Sequence, residues 1–179
     1  MGEGGWLVLF IAAERIVELA IARKNAAELM SEGAVEYGRE QYPFIVATHA
    51  AWLGGLWLLG REHDVSLILL GVFAALQLFR VWIISSLGRR WTTRIIVLHG
   101  APLCMRGPYR FLRHPNYVVV VLEIAVVPLA LGLPHFALVF SLLNAALLFW
   151  RIRVENAALA EAAALAPSPK SLANGAGRL

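Results

Sequence analysis

The sequence predicts an all-α integral membrane protein. It has about five transmembrane helices, the last two forming a short helical hairpin, with a cytosolic arginine-rich connector and a C-terminal helix. Three observations carry this expectation. Of 179 residues, 59% are hydrophobic and only 16% charged, whereas soluble domains are nearer half apolar and about one quarter charged. Apolar segments near the length of a bilayer crossing recur along the chain, and a spanning helix needs about 20 such residues. The basic residues gather in a few loops instead of spreading over the surface. The length suits a single transmembrane domain over 1–166, and the Pro, Ser, Gly and Ala after it predict a disordered tail at 167–179.

The first apolar segment is 6–22, interrupted by Glu14, Arg15 and Glu18. The second, 44–60, carries no Asp, Glu, Lys or Arg, and the third, 65–87, carries only Arg80. The run 117–150 contains a single formal charge, Glu123, and is too long for one span. Gly132-Leu133-Pro134 divides it into two helices. Charges at the bilayer centre are costly, so Glu14, Glu18 and Glu123 are expected to face the bundle or a cavity. His49, Gln77 and Asn144 read as interhelical hydrogen-bonding groups.

The loops set orientation. Six arginines (Arg89, Arg90, Arg94, Arg106, Arg110, Arg113) and no acidic residue occupy 88–116. Arg151 and Arg153 follow the last span, and Arg23-Lys24 follow the first. The positive-inside rule places all of them in the cytoplasm and the N-terminus outside. The formal charge of +4 therefore reflects topology, and membrane lipids, not nucleic acid, are the expected surroundings. The N-terminus lacks a basic region and reads as mature protein, not as a signal peptide. Trp6 occupies the place where a myristoylation motif wants Ser or Thr.

Between the first two spans, Glu28, Glu32, Glu36 and Glu40 recur every fourth residue, which on one helix face would repel. Gly33 and Gly38 are expected to interrupt that helix and leave a solvated cytosolic segment. The single cysteine, Cys104, cannot form an intrachain disulfide and reads as a packing residue. The five histidines show no metal-ligand spacing, so no metal is expected.

Function is most legible from Arg106 to Tyr117. Pro108 and Pro115 each suit the first position of a helix, which predicts a short helical turn from Pro108 and the fourth span from Pro115. Helix starts offer unpaired backbone N–H groups and partial positive charge, a natural seat for an anion. Arginines flank both starts, although boundary arginines also anchor headgroups. An apolar hairpin follows, so a water-soluble anion and a lipid could meet here.

Gly107-Pro108-Tyr109-Arg110, then Arg113-His114-Pro115-Asn116-Tyr117, a helical hairpin, and Arg151-Ile152-Arg153-Val154-Glu155 resemble the isoprenylcysteine carboxyl methyltransferase family. The resemblance is strongest over 87–159. Upstream, Glu14-Arg15, Glu18-Leu19, Asn25, Gly33 with Val35-Glu36-Tyr37-Gly38, and His49 look like a bacterial branch. Some members of that branch accompany type III polyketide synthases and O-methylate alkylpyrones or alkylresorcinols.

The resemblance implies S-adenosylmethionine as cofactor. It implies cofactor contacts from Arg113, His114, Pro115, Asn116, Tyr117 and the Arg151…Glu155 pair, Arg151 suiting the cofactor carboxylate or an anionic acceptor, with Asn156 standing where the family usually has a second glutamate. Arg151, His114 and Tyr109 are the catalytic candidates. Arg110 and Glu123 are candidates for contacting the acceptor, Glu123 being equally suited to an internal pair with an arginine. His114 could act as a base, a cofactor contact or a helix cap. The implied acceptor is lipidic, a long-chain alkylpyrone or a prenylcysteine-like molecule, delivered by a neighbouring lipid or polyketide enzyme in a bacterial inner membrane. An NADPH-dependent reductase of the steroid-reductase type and a non-catalytic membrane protein are the competing readings.

Overall fold

A computed structural model describes residues 1–101 and 104–165; the tail expected at 167–179 lies outside them. Five helices follow in order: α1 (Glu3–Ser31), α2 (Tyr42–Gly60), α3 (Leu67–Leu87), α4 (Pro115–Ala130) and α5 (Pro134–Leu165). Three stretches, Arg39–Gly60, Leu67–Arg90 and Pro134–Ala162, are long and apolar enough to cross a membrane, and Pro115–Ala130 is a shorter apolar helix. The chain is a predominantly helical membrane protein. Helix α1 is long enough to cross, but it carries the charges of Glu14, Arg15, Glu18, Arg23 and Lys24.

The helices alternate in direction, so the loops gather at two ends. At one end the N-terminus meets the α2–α3 and α4–α5 connections. The amide of Gly4 donates to the carbonyl of His63 at 3.0 Å, the ring of His63 bonds the carbonyl of Leu131 at 2.7 Å, and the amide of Ser66 donates to Ala130 at 2.9 Å. Among the described residues, Arg61 is the only lysine or arginine there. The other end collects Arg23, Lys24, the arginines of 88–116, Arg151 and Arg153.

The hairpin expected at Gly132-Leu133-Pro134 is present, but its arms are unequal. Helix α4 has 16 residues and α5 has 32. The last span and the C-terminal helix are one continuous helix, because nothing from Phe149 to Leu165 breaks helical propensity.

Pro128 lies inside α4 and has no N–H for the carbonyl of Ile124 four residues earlier. The indole Nε1 of Trp52 on α2 donates to that carbonyl at 3.3 Å. The helix therefore continues past the proline. Around this point Leu56, Ile83, Ile124, Val119 and Val127 form the fully buried centre.

Arg15, Glu18, Arg80 and Glu123 inside the spans pair with one another, while the buried Oε2 of Glu14 has no hydrogen-bond partner. Arg80, 4% exposed on its side chain, pairs with Glu123 and lies 3.5 Å from Glu18, while Arg15 contacts Glu18 at 2.9 Å. Gln77 donates to Glu123 at 2.6 Å, the interhelical bond expected of it. His49 instead bonds the carbonyl of Ile45 in its own helix at 2.8 Å.

One element is absent from the sequence reading. A short antiparallel ribbon pairs β1 (Val35–Tyr37) with β2 (Ile95–Val97), Glu36 opposite Ile96. Ile95-Ile96-Val97 is β-branched throughout, but three residues are too few to show a period. Ile95 and Val97 bury themselves with Ala158 of α5, and Tyr37 and Val154 pack on the same cluster. The glutamate series is broken as expected: α1 stops at Ser31, and Gly33 and Gly38 take φ of 89° and 61°.

Candidate functional site

The connector from α3 turns back at Gly107, whose φ of 54° and close approach to Ser86 leave no room for a Cβ. A 3-10 turn, Gly107–Arg110, follows with Pro108 buried in it. This is the short helical turn expected there. It presents Tyr109 to the core cluster. Burial, then the charge of Glu155 and the neighbouring Cys104, push the Tyr109 phenol well above its ordinary pKa. The group is a neutral hydrogen-bond donor, not a base, at any physiological pH.

Helix α4 begins at Pro115, as expected. His114 occupies the N-cap position, but its ring caps nothing. It stacks on Tyr117 with centroids 5.3 Å apart. Its Nε2–H donates to Oδ1 of Asn156 at 3.2 Å, and its Nδ1 lies 3.8 Å from Glu155. The amide of Asn156 thus makes a hydrogen bond across the helices.

Arg151 and Glu155, four apart on α5, do not pair directly. The hydroxyl of Tyr117 stands between them, donating to Glu155 and accepting from Nε of Arg151 at 2.8 Å. The second arm of the Arg151 guanidinium donates to the carbonyl of Thr93 at 2.9 Å. The start of α4 and the 151–156 face of α5 therefore form one connected cluster, half-buried at the arginine-rich end. Asn116 contributes a buried Oδ1 with no hydrogen-bond partner.

Not every candidate joins this cluster. Arg110 and Arg113 are exposed at its rim, Arg110 lying 5.9 Å over the ring of Phe111. Glu123 is eight residues into α4, about 12 Å from Pro115 along the axis, and it pairs with Arg80. That is the internal pair which its sequence position allowed.

Sequence reasoning missed Thr93, which acts through its carbonyl and so leaves no side-chain signal. It also missed Gln41, 1% exposed with neither end of its amide hydrogen-bonded. Gln41 packs beside Gly38 and, through it, Val154. The signal that could have found it is a polar residue directly before an apolar span.

Residues 67–161, just over half the chain, match the isoprenylcysteine carboxyl methyltransferase (ICMT) family. The chain belongs to this family. An uncharacterized protein of Bacillus subtilis (strain 168), YpbQ, is 38% identical over 87% of this chain and 96% of its own length. An uncharacterized protein of Haemophilus influenzae is 24% identical over 70% of this chain and 73% of its own. No solved structure gives a significant match.

The isoprenylcysteine carboxyl methyltransferase match covers α3, β2, α4 and most of α5. Every member of the cluster around Tyr117 falls inside it. Helices α1 and α2 and strand β1 fall outside it, so Gln41 and Glu36 are features of this chain beyond the family core. The family is one of membrane methyltransferases, and the protein is a membrane protein of that kind.

Proposed function

We propose that the protein is a membrane-embedded, S-adenosylmethionine-dependent O-methyltransferase acting on a lipidic acceptor. A long-chain alkylpyrone or a prenylcysteine-like molecule represents the acceptor class. The observation that carries this reading is the contact of His114 and Tyr117 with Arg151, Glu155 and Asn156, two stretches 34 or more residues apart in sequence.

The residues present fit the cofactor. Glu155 suits ribose hydroxyls or an amino group, and the partnerless Oδ1 of Asn116 calls for a donor from a ligand. When bound, S-adenosylmethionine supplies an electrophilic methyl group on a sulfonium. The chain's own task is then to bind, align and exclude water. The Arg151 guanidinium, held by Tyr117 and Thr93, is positioned to orient an anionic oxygen. Tyr109, neutral and packed on the core near the charge of Glu155, offers its O–H as a donor to a ligand. His114 is held by Asn156 and Tyr117, an arrangement suited to contacting the cofactor and to accepting a proton from an acceptor that needs a base. A carboxylate or an acidic enol is ionised near neutral pH and needs little such help.

Charges that cancel on transfer lose little from an apolar setting, which suits the reaction to a membrane boundary. In this reading the arginine-rich end faces the cytoplasm of a bacterial inner membrane, with the N-terminus outside. A neighbouring lipid or polyketide enzyme would supply the acceptor. The test is ligand binding to detergent-purified protein. Thermal stabilisation by S-adenosylhomocysteine and not by NADPH is expected, and the reverse pattern overturns the proposal.

A further inference from the structure

The β1–β2 ribbon places Glu36 beside Arg94, and the turn after β1 brings Arg39 to the same carboxylate. Arg39 Nε lies 3.1 Å and Arg94 Nη1 3.4 Å from Oε2 of Glu36, whose side chain is only 8% exposed. Both guanidiniums reach the same oxygen. Among the described residues, Oε1 is left to a further donor. Arg94 is steadied 5.0 Å over the ring of Tyr42. Glu36, Arg39, Tyr42, Pro43 and Arg94 line an open cavity of about 360 Å³, within the range of small-molecule sites.

This cavity adjoins the cluster described above. The hydroxyl of Tyr42 lies 3.3 Å from Oγ1 of Thr93, and the carbonyl of Thr93 holds Arg151. Its charges are two positive and one negative. A ligand bearing one cationic donor and one anion, a few bonds apart, complements them: the cation completes Glu36 and the anion takes up the surplus positive charge. A free α-amino acid terminus has this form. A phosphate would confront Glu36, and a simple amine would meet the two guanidiniums.

We propose that this cavity seats the zwitterionic amino-acid end of the methyl donor, its ammonium on Glu36 and its carboxylate between Arg39 and Arg94. The proposal rests on the methyltransferase reading. It frees Arg151 from binding the cofactor's carboxylate and leaves that guanidinium to the acceptor's oxygen. It also gives β1 and the start of α2, which lie outside the family match, a part in binding.

The experiment is titration calorimetry on the full chain in detergent with two ligands, S-adenosylhomocysteine and 5′-methylthioadenosine, which lacks the amino-acid end. The wild-type protein is expected to bind S-adenosylhomocysteine at least about tenfold more tightly. Glu36→Gln and Arg94→Gln are each expected to cut that ratio by about tenfold while leaving methylthioadenosine affinity unchanged, which also reports intact folding. An unaltered ratio, or equal weakening of both ligands, overturns the proposal. Binding of neither ligand by the wild-type protein instead counts against the methyltransferase reading and takes this proposal with it.

Discussion

Arg151 and Tyr117 share a hydrogen bond of 2.8 Å across the α4–α5 interface, donated by the guanidinium Nε. The phenol passes it on to Glu155. Two charges four apart on one helix are thus kept from collapsing onto each other by a residue of another helix.

Removing that hydroxyl with Tyr117→Phe is expected to let Arg151 and Glu155 close on one another. Hydrogen bonds to charged groups are worth about 1.5–3 kcal/mol, so turnover and S-adenosylhomocysteine affinity should fall by roughly 10- to 100-fold. Glu155→Ala should lower the same quantities, and Arg151→Ala should lower turnover. All three variants should remain inserted and folded by detergent melting, and wild-type turnover in them would remove the trio from the site.

Arg80 and Glu123 are paired inside the bundle, away from water. Breaking such a pair by removing one partner costs about 3–5 kcal/mol, whereas replacing both with apolar groups costs far less. Glu123→Leu should therefore melt well below the wild-type protein in detergent, and Arg80→Met with Glu123→Leu should recover much of the difference. Equal melting of the single and double variants would refute this.

The bond from Trp52 to Ile124 is useful only because Pro128 leaves that carbonyl open. Trp52→Phe should cost about 1 kcal/mol beyond the loss of packing. In a Pro128→Ala background, where the helix restores its own donor, that excess should shrink. A double-mutant cycle on thermal stability measures the difference.

Tyr109 carries a raised pKa, from burial first and Glu155 second. A group whose folded pKa lies above its unfolded value of about 10 contributes stability that is complete below that value. The contribution declines as pH rises beyond it. The protein should accordingly lose stability above about pH 10, and Tyr109→Phe should flatten that decline. Ultraviolet titration of the phenolate should show one late-ionising tyrosine missing in the variant. Between pH 6 and 9, roughly four to one units below that ordinary value, the variant should change the height of the activity profile and not its shape.

The helices, the hairpin and most of the cluster were legible because each leaves a local mark. Gly132 and Pro134 punctuate one apolar run, Pro108 and Pro115 open helical turns, and Arg151 and Glu155 share a helix face by spacing alone. The ribbon was not legible, since Val35–Tyr37 and Ile95–Val97 are paired across about sixty residues and each is too short to declare itself. Thr93 escaped because a backbone carbonyl has no letter in the sequence. The role of Glu123 was open because a buried carboxylate looks the same whether it meets a ligand or an arginine. In the structure it pairs with Arg80, and only the fold brings Arg80 to it.

Helix α5 runs unbroken for 32 residues, about 48 Å at 1.5 Å per residue, against a hydrocarbon core of about 30 Å. It must emerge from the bilayer, and the emerging length carries Arg151, Glu155 and Asn156. A rod without a hinge transmits tilt from one end to the other. Thickening or thinning of the surrounding lipid, by leaning the submerged half, would tilt the 151–156 face with it. Under the proposed function, the hold on a water-soluble ligand would thereby depend on the thickness of its host bilayer.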